Sequence, residues 1–163
     1  MKGKEIIRII VFAVIGLGLM FWLQPLVYRG RYIRVSDYEV NGVPAGVEAW
    51  IADNYMICAG IVFVFSLLAT LLWSFFTAKA QIKGAIDVSR WQVMWWLLGL
   101  LPIAGIAIAL IFFNQSDQAL LSLAGFLVFD GLIWLFWLST ATSSPGMFKH
   151  IPPGSFMLRR LIG

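Results

Sequence analysis

Four long apolar runs alternate with short polar stretches along the chain. IIRIIVFAVIGLGLMFWLQPLV occupies residues 6–27, YMICAGIVFVFSLLATLLWSFF residues 55–76, VMWWLLGLLPIAGIAIALIFF residues 93–113 and ALLSLAGFLVFDGLIWLFWLSTA residues 119–141. Each is close to the roughly 20 residues that carry a helix across a hydrocarbon core. Lipid offers no partner to backbone N–H and C=O groups, so every span must satisfy its own, which predicts helices rather than open strands. The pattern therefore predicts an all-α integral membrane protein, a single membrane domain over residues 1–163. Four transmembrane helices come with a short extracytoplasmic segment at 28–54 and an amphipathic C-terminal tail at 142–163.

Composition agrees with this pattern. The chain is 61% hydrophobic and only 12% charged, about half the charge of a soluble domain, so most of its outside must be apolar. Lys2 and Lys4 ahead of the first run resemble the start of a signal peptide, but the run is too long, and Gln24-Pro25 stands where a small-residue cleavage site would be. An uncleaved anchor is expected. The third run carries Pro102 between Gly99 and Gly105, where the missing N–H predicts a kink.

Charge orients the spans. Lys2, Lys4, Arg8, Lys79, Lys83, Arg90, Lys149, Arg159 and Arg160 lie at one side of the alternating pattern, and only Arg29, Arg31 and Arg34 at the other. Nine against three predicts both termini in the cytoplasm. Trp22 and Tyr28 would mark the outer boundary, and Trp73, Trp91, Trp95 and Trp96 the inner one. Basic residues scattered at segment ends form no stripe, which argues against nucleic acid.

The connection YRGRYIRVSDYEVNGVPAGVEAWIADN opens basic and continues acidic. Asn41-Gly42 suits a tight turn, while Pro44 weakens the case for a hairpin. Val47, Trp50 and Ile51 share a helical face, predicting a short amphipathic helix on the outer membrane surface. Arg29, Arg31 and Arg34, with Trp50, are candidate contacts to a partner or an anionic headgroup. The plainer alternative is a solvated loop whose arginines pair with nearby acids. Ser89-Arg90-Trp91-Gln92 reads as a capping box before the third helix. In the tail, Phe156, Leu158, Leu161 and Ile162 beside Arg159 and Arg160 form an apolar face that must dock, on lipid or on a partner.

One carboxylate, Asp130, falls inside the fourth run. On a regular helix it shares a face with Leu123, Phe126, Trp134 and Trp137, and Arg8 is the one charge able to approach it. A charged residue at a helix centre costs about 2.5–3.5 kcal/mol on insertion scales, so Asp130 is expected to face the bundle. Its expected role is an interhelix polar contact, with proton or ion chemistry as the alternative.

Cys58 and His150 are each single of their kind, which excludes an intrachain disulfide and a Cys/His metal cluster. HExxH, GxSxG, the P-loop and GxGxxG are absent, so neither a cofactor nor enzymatic activity is expected. The function expected is a non-catalytic accessory subunit or assembly factor of a membrane complex. Its partners would be lipid and a membrane protein or a second copy of the chain. A proton or small-solute conductor using Asp130, and an enzyme on a lipid-like substrate, are the alternatives.

Overall fold

Residues 3–78, 80, 84–143, 151–155 and 157–158 are described by the computed structural model of the protein. Four helices follow the four apolar runs: α1 Gly3–Arg29, α2 Val47–Ala78, α3 Ala85–Phe113 and α4 Asp117–Thr142. All are long and apolar enough to cross a membrane, and the protein is a multi-pass helical membrane protein. Large apolar side chains cover the outside of the bundle, among them Ile7 and Val14 on α1 and Trp96 and Ile111 on α3. Lipid is the solvent in which such a surface is stable.

The helices alternate in direction. Residues 30–46 and 114–116 therefore meet at one end, the cap end, with the start of α1 and the end of α4 at the other, the terminal end. α4 lies in the middle and packs against the other three helices, while α2 and α3 are neighbours along their length. Glycines permit the close approaches. A Cβ on Gly131 of α4 would sit 2.3 Å from Val62 Cγ1 and 2.8 Å from Ser66 Oγ of α2, and one on Gly105 of α3 would sit 2.9 Å from the Phe65 Cβ. Small residues at such contacts let helix backbones pack where no hydrophobic drive exists between helices.

Several boundaries differ from the sequence expectation. The Val47–Ile51 segment does not form a separate surface helix. It is the first part of α2, because Trp50 (0% exposed) and Ile51 (2% exposed) turn inward onto the bundle. α3 begins at Ala85 with Gly84 as its N-cap and no side-chain cap bond, so Ser89 lies inside the helix and the expected capping box is not used. α3 continues through Pro102 to Phe113. Trp73 and Trp95 do not sit at a lipid boundary. They are buried with Phe136, Leu98 and Ile151 in a core at the terminal end, where Trp95 and Phe136 stack at 5.1 Å.

The hairpin that Pro44 seemed to oppose does form. β1 Glu39–Val40 pairs antiparallel with β2 Val43–Pro44 through Asn41 (φ 54) and Gly42 (φ 76), the two positive-φ positions of a type I′ turn. Val40 faces Val43, Glu39 faces Pro44, and the Ala45 N–H donates to the Tyr38 carbonyl at 2.9 Å. Pro44 thus occupies the non-hydrogen-bonded pair of the ladder, where no N–H is required.

Part of the tail docks on its own chain. Ile151 is 4% exposed within the terminal-end core, and the Trp137 indole donates to the Pro153 carbonyl at 2.8 Å. Ile151 and Pro153 thus contact the bundle itself. Phe156, Arg159, Arg160, Leu161 and Ile162 lie outside the described residues.

Candidate functional site

In α1, Pro25 has no N–H to offer the Phe21 carbonyl, and the helix widens just before it. The Gln24 N–H reaches back five residues to the Leu19 carbonyl. The Met20 carbonyl thereby loses its usual donor, and the Tyr55 hydroxyl of α2 takes the place at 2.8 Å. Tyr55 itself ends a second wide segment, Ile51–Tyr55, in which the Met56 N–H reaches the Ile51 carbonyl. A third runs over Val128–Leu138 of α4 and contains Asp130. There the Ser139 N–H turns to the Phe136 carbonyl, and the Leu135 carbonyl accepts from the Thr70 hydroxyl at 2.6 Å. Wide turns of this kind often mark functional positions, because they expose backbone groups and re-aim side chains.

The three segments bring together a buried polar triad. Asp130, on α4, is completely buried. Its Oδ2 accepts from the Gln24 side-chain amide, and the Gln24 Oε1 lies 2.6 Å from the Tyr55 hydroxyl, whose one proton is shared between Gln24 and the Met20 carbonyl. α1, α2 and α4 are thus tied at one point. The Asp130 Oδ1 has no hydrogen-bond partner among the described residues, an arrangement able to hold a proton or an ordered water.

Buried hydroxyls continue towards the terminal end. Ser66, Thr70, Ser74 and Thr77 line one face of α2, with Ser139 and Thr140 opposite on α4, and all are buried. The Ser66, Ser74 and Ser139 hydroxyls have no partners among the described residues.

The groups expected beside Asp130 are elsewhere. Trp134 donates from its indole to the Phe12 carbonyl at 3.1 Å. Arg8 reaches the Ser139 carbonyl at 2.5 Å and pairs with Glu5 at 2.9 Å, tying α1 to the end of α4. Gln24 and Tyr55 were not anticipated. The available signal for Gln24 was a lone amide directly before a proline in an apolar run. Tyr55 had none, since it stands at a predicted boundary where tyrosine is ordinary.

At the cap end, Tyr28 (0% exposed) packs against Trp50, with ring centroids 4.8 Å apart and the planes tilted by 57°, and touches Ser122 through its hydroxyl at 3.1 Å. The connection is pinned over this cluster. Asp37 accepts from the Ser116 hydroxyl at 2.5 Å and the Gln118 N–H at 3.0 Å, and Tyr38 donates to Asp53 at 3.1 Å. Desolvation opposes the Asp37 charge, but these hydrogen bonds outweigh it and hold its carboxyl below the usual carboxylate value.

The three arginines part company here. Arg29 forms a bidentate pair with Glu48, at 2.9–3.1 Å. Arg31 and Arg34 instead border a cleft of about 470 Å³ together with Ser36, over a floor formed by Tyr28, Ile33, Val35 and Val47. Arg31 also occupies an unusual backbone position. The Tyr32 N–H bonds to the Val27 carbonyl and the Arg31 N–H to the Tyr28 carbonyl, which is the Schellman closure of a helix. Its left-handed residue, ordinarily glycine, is Arg31 at φ 58. A side chain in that conformation costs roughly 1–2 kcal/mol.

These features define a four-span helical membrane protein with a buried polar triad and a cationic cap-end cleft. Comparison of the chain with protein-family models, curated proteins and solved structures gives no match.

Proposed function

We propose that the protein is a non-catalytic accessory or assembly subunit of a larger membrane complex, and that the cap-end hairpin is its contact with a membrane-protein partner. The observation that carries this reading is the hairpin tip. Val43 is 65% exposed and Val40 43% exposed. This apolar surface lies beyond the span of α1, where water rather than lipid would meet it. Its base is fixed by Asp37, Tyr38 and the I′ turn, so little ordering entropy opposes binding at the tip. A two-stranded ribbon with open edges also suits strand addition by a partner.

Purification in mild detergent from the native membrane should give a defined complex for the wild type. For Val43→Asp, at equal accumulation, it should give the chain alone. Identical elution of the two as a single chain would overturn the reading. A complex made only of copies of this chain would identify the partner as the protein itself.

The same reading places both termini in the cytoplasm, supported by the nine-to-three distribution of basic residues. A cysteine at Asn41 should then react with an impermeant thiol reagent in intact cells, and one at Lys83 should not; the reverse pattern would invert the protein.

A second reading, proton or small-solute conduction through Asp130, is favoured by one observation. Asp130, with its unpartnered Oδ1, adjoins Gly131, which packs on Ser66, the first of the row of buried hydroxyls, giving polar groups for a path towards the terminal end.

A further inference from the structure

We propose that the cap-end cleft binds the phosphate of an anionic phospholipid, held between the guanidinium groups of Arg31 and Arg34. Three of the cap-end acids already have partners, and Glu39 and Asp117 form no ion pair with either arginine among the described residues. Glu48 holds Arg29, Asp37 holds Ser116 and Gln118, and Asp53 accepts from Tyr38. Neither Arg31 nor Arg34 has an ion pair among the described residues. Two unneutralised guanidiniums at one cleft are a phosphate-binding arrangement, because each presents a planar fork of donors.

The rest of the cleft selects a lipid over a free anion. Its floor includes Ile33, Val35 and Val47, a surface suited to the glycerol and upper acyl carbons beneath a headgroup. It also stands at the end of a membrane span: Trp22, Leu23 and Leu26 are exposed on α1 within ten residues of Arg31. A lipid lying along that face would have its phosphate at the height of the cleft.

The backbone at Arg31 supplies the independent argument. Glycine is the residue a Schellman closure favours, and this chain has arginine at the left-handed position, with Gly30 one place too early to serve. A side chain kept there against the backbone preference points to a use for it.

The strained backbone also provides a test that separates binding from folding. Full-length protein, stripped of lipid in a neutral detergent, would be titrated with phosphatidylglycerol, with phosphatidylcholine and with inorganic phosphate. Thermal stabilisation and lipid retention in native mass spectra would be the readouts. Phosphatidylglycerol should stabilise the wild type and remain bound, and the other two should not. Arg31→Gly should leave the protein without lipid as stable or more stable, yet weaken phosphatidylglycerol binding by about fivefold, and the Arg31→Gly/Arg34→Gln pair by about thirtyfold. Arg29→Gln combined with Glu48→Gln, which removes the neighbouring ion pair as a unit and frees no acid, should bind as the wild type does. Unchanged binding in the double variant would overturn the proposal. Equal stabilisation by inorganic phosphate would also overturn it, and would identify the cleft as a site for a free anion.

Discussion

Gly131→Ala is expected to destabilise the bundle by about 1–3 kcal/mol, the usual penalty for overpacking a filled core. The added methyl would meet Val62 Cγ1 at 2.3 Å and Ser66 Oγ at 2.8 Å. Val62 is β-branched and fully buried, so it has little freedom to move aside. A separation of α2 and α4 to relieve the clash would strain the Thr70–Leu135 bond and the Asp130 contacts as well. Alanine is the better helix former by about 0.5–1 kcal/mol, so the loss has to exceed that gain. Gly125→Ala supplies the matched control on the same helix, because nothing lies within 4 Å of a Cβ there; it should be neutral or stabilising. Reversible unfolding in mixed micelles would measure both, and equal effects at the two glycines would refute the close contact.

The four spans were legible because run length and apolarity act locally: each helix must satisfy its backbone and match the lipid, whatever surrounds it. Helix ends were less so. Trp50 and Ile51 have the spacing of a surface helix, and only the presence of Tyr28 and Tyr55 beside them makes burial in the bundle the better solution. The Asp130 face was misjudged for a different reason. The buried residues of α4 after Leu127 are Asp130 and Gly131, Leu135 and Phe136, then Ser139, Thr140 and Ala141. The step from Asp130 and Gly131 to Leu135 and Phe136 is five positions, which a wheel drawn at 3.6 residues per turn cannot place. Trp134 accordingly leaves the Asp130 face for Phe12. The arginines show a third limit. Arg29, Arg31 and Arg34 are equivalent in sequence, and which of them meets Glu48 depends on how α1 and α2 are juxtaposed.

Asp130→Leu and Asp130→Asn separate the two readings of the triad. Leucine would leave the buried Gln24 amide without its acceptor, and an unsatisfied buried polar group costs about 1–3 kcal/mol. Interhelix hydrogen bonds measured in membranes average ~0.6 kcal/mol, with ~1.7 the largest, so a loss of about 1–2 kcal/mol is expected. Asparagine keeps an oxygen for the Gln24 amide and should lose much less. If the triad is a packing device, Gln24→Leu combined with Asp130→Leu should recover most of the stability, because removing both partners leaves no stranded group. Tyr55 would still have the Met20 carbonyl. Accumulation and retention in the native complex should then follow stability, with Asp130→Asn close to wild type. If the unpartnered Oδ1 carries a proton, the order changes: Asp130→Asn should fold and accumulate normally but fail to dissipate a pH gradient in proteoliposomes that the wild type dissipates. Wild-type vesicles that hold the gradient as well as the variant does would exclude conduction and leave Asp130 as the polar tie between α1 and α4.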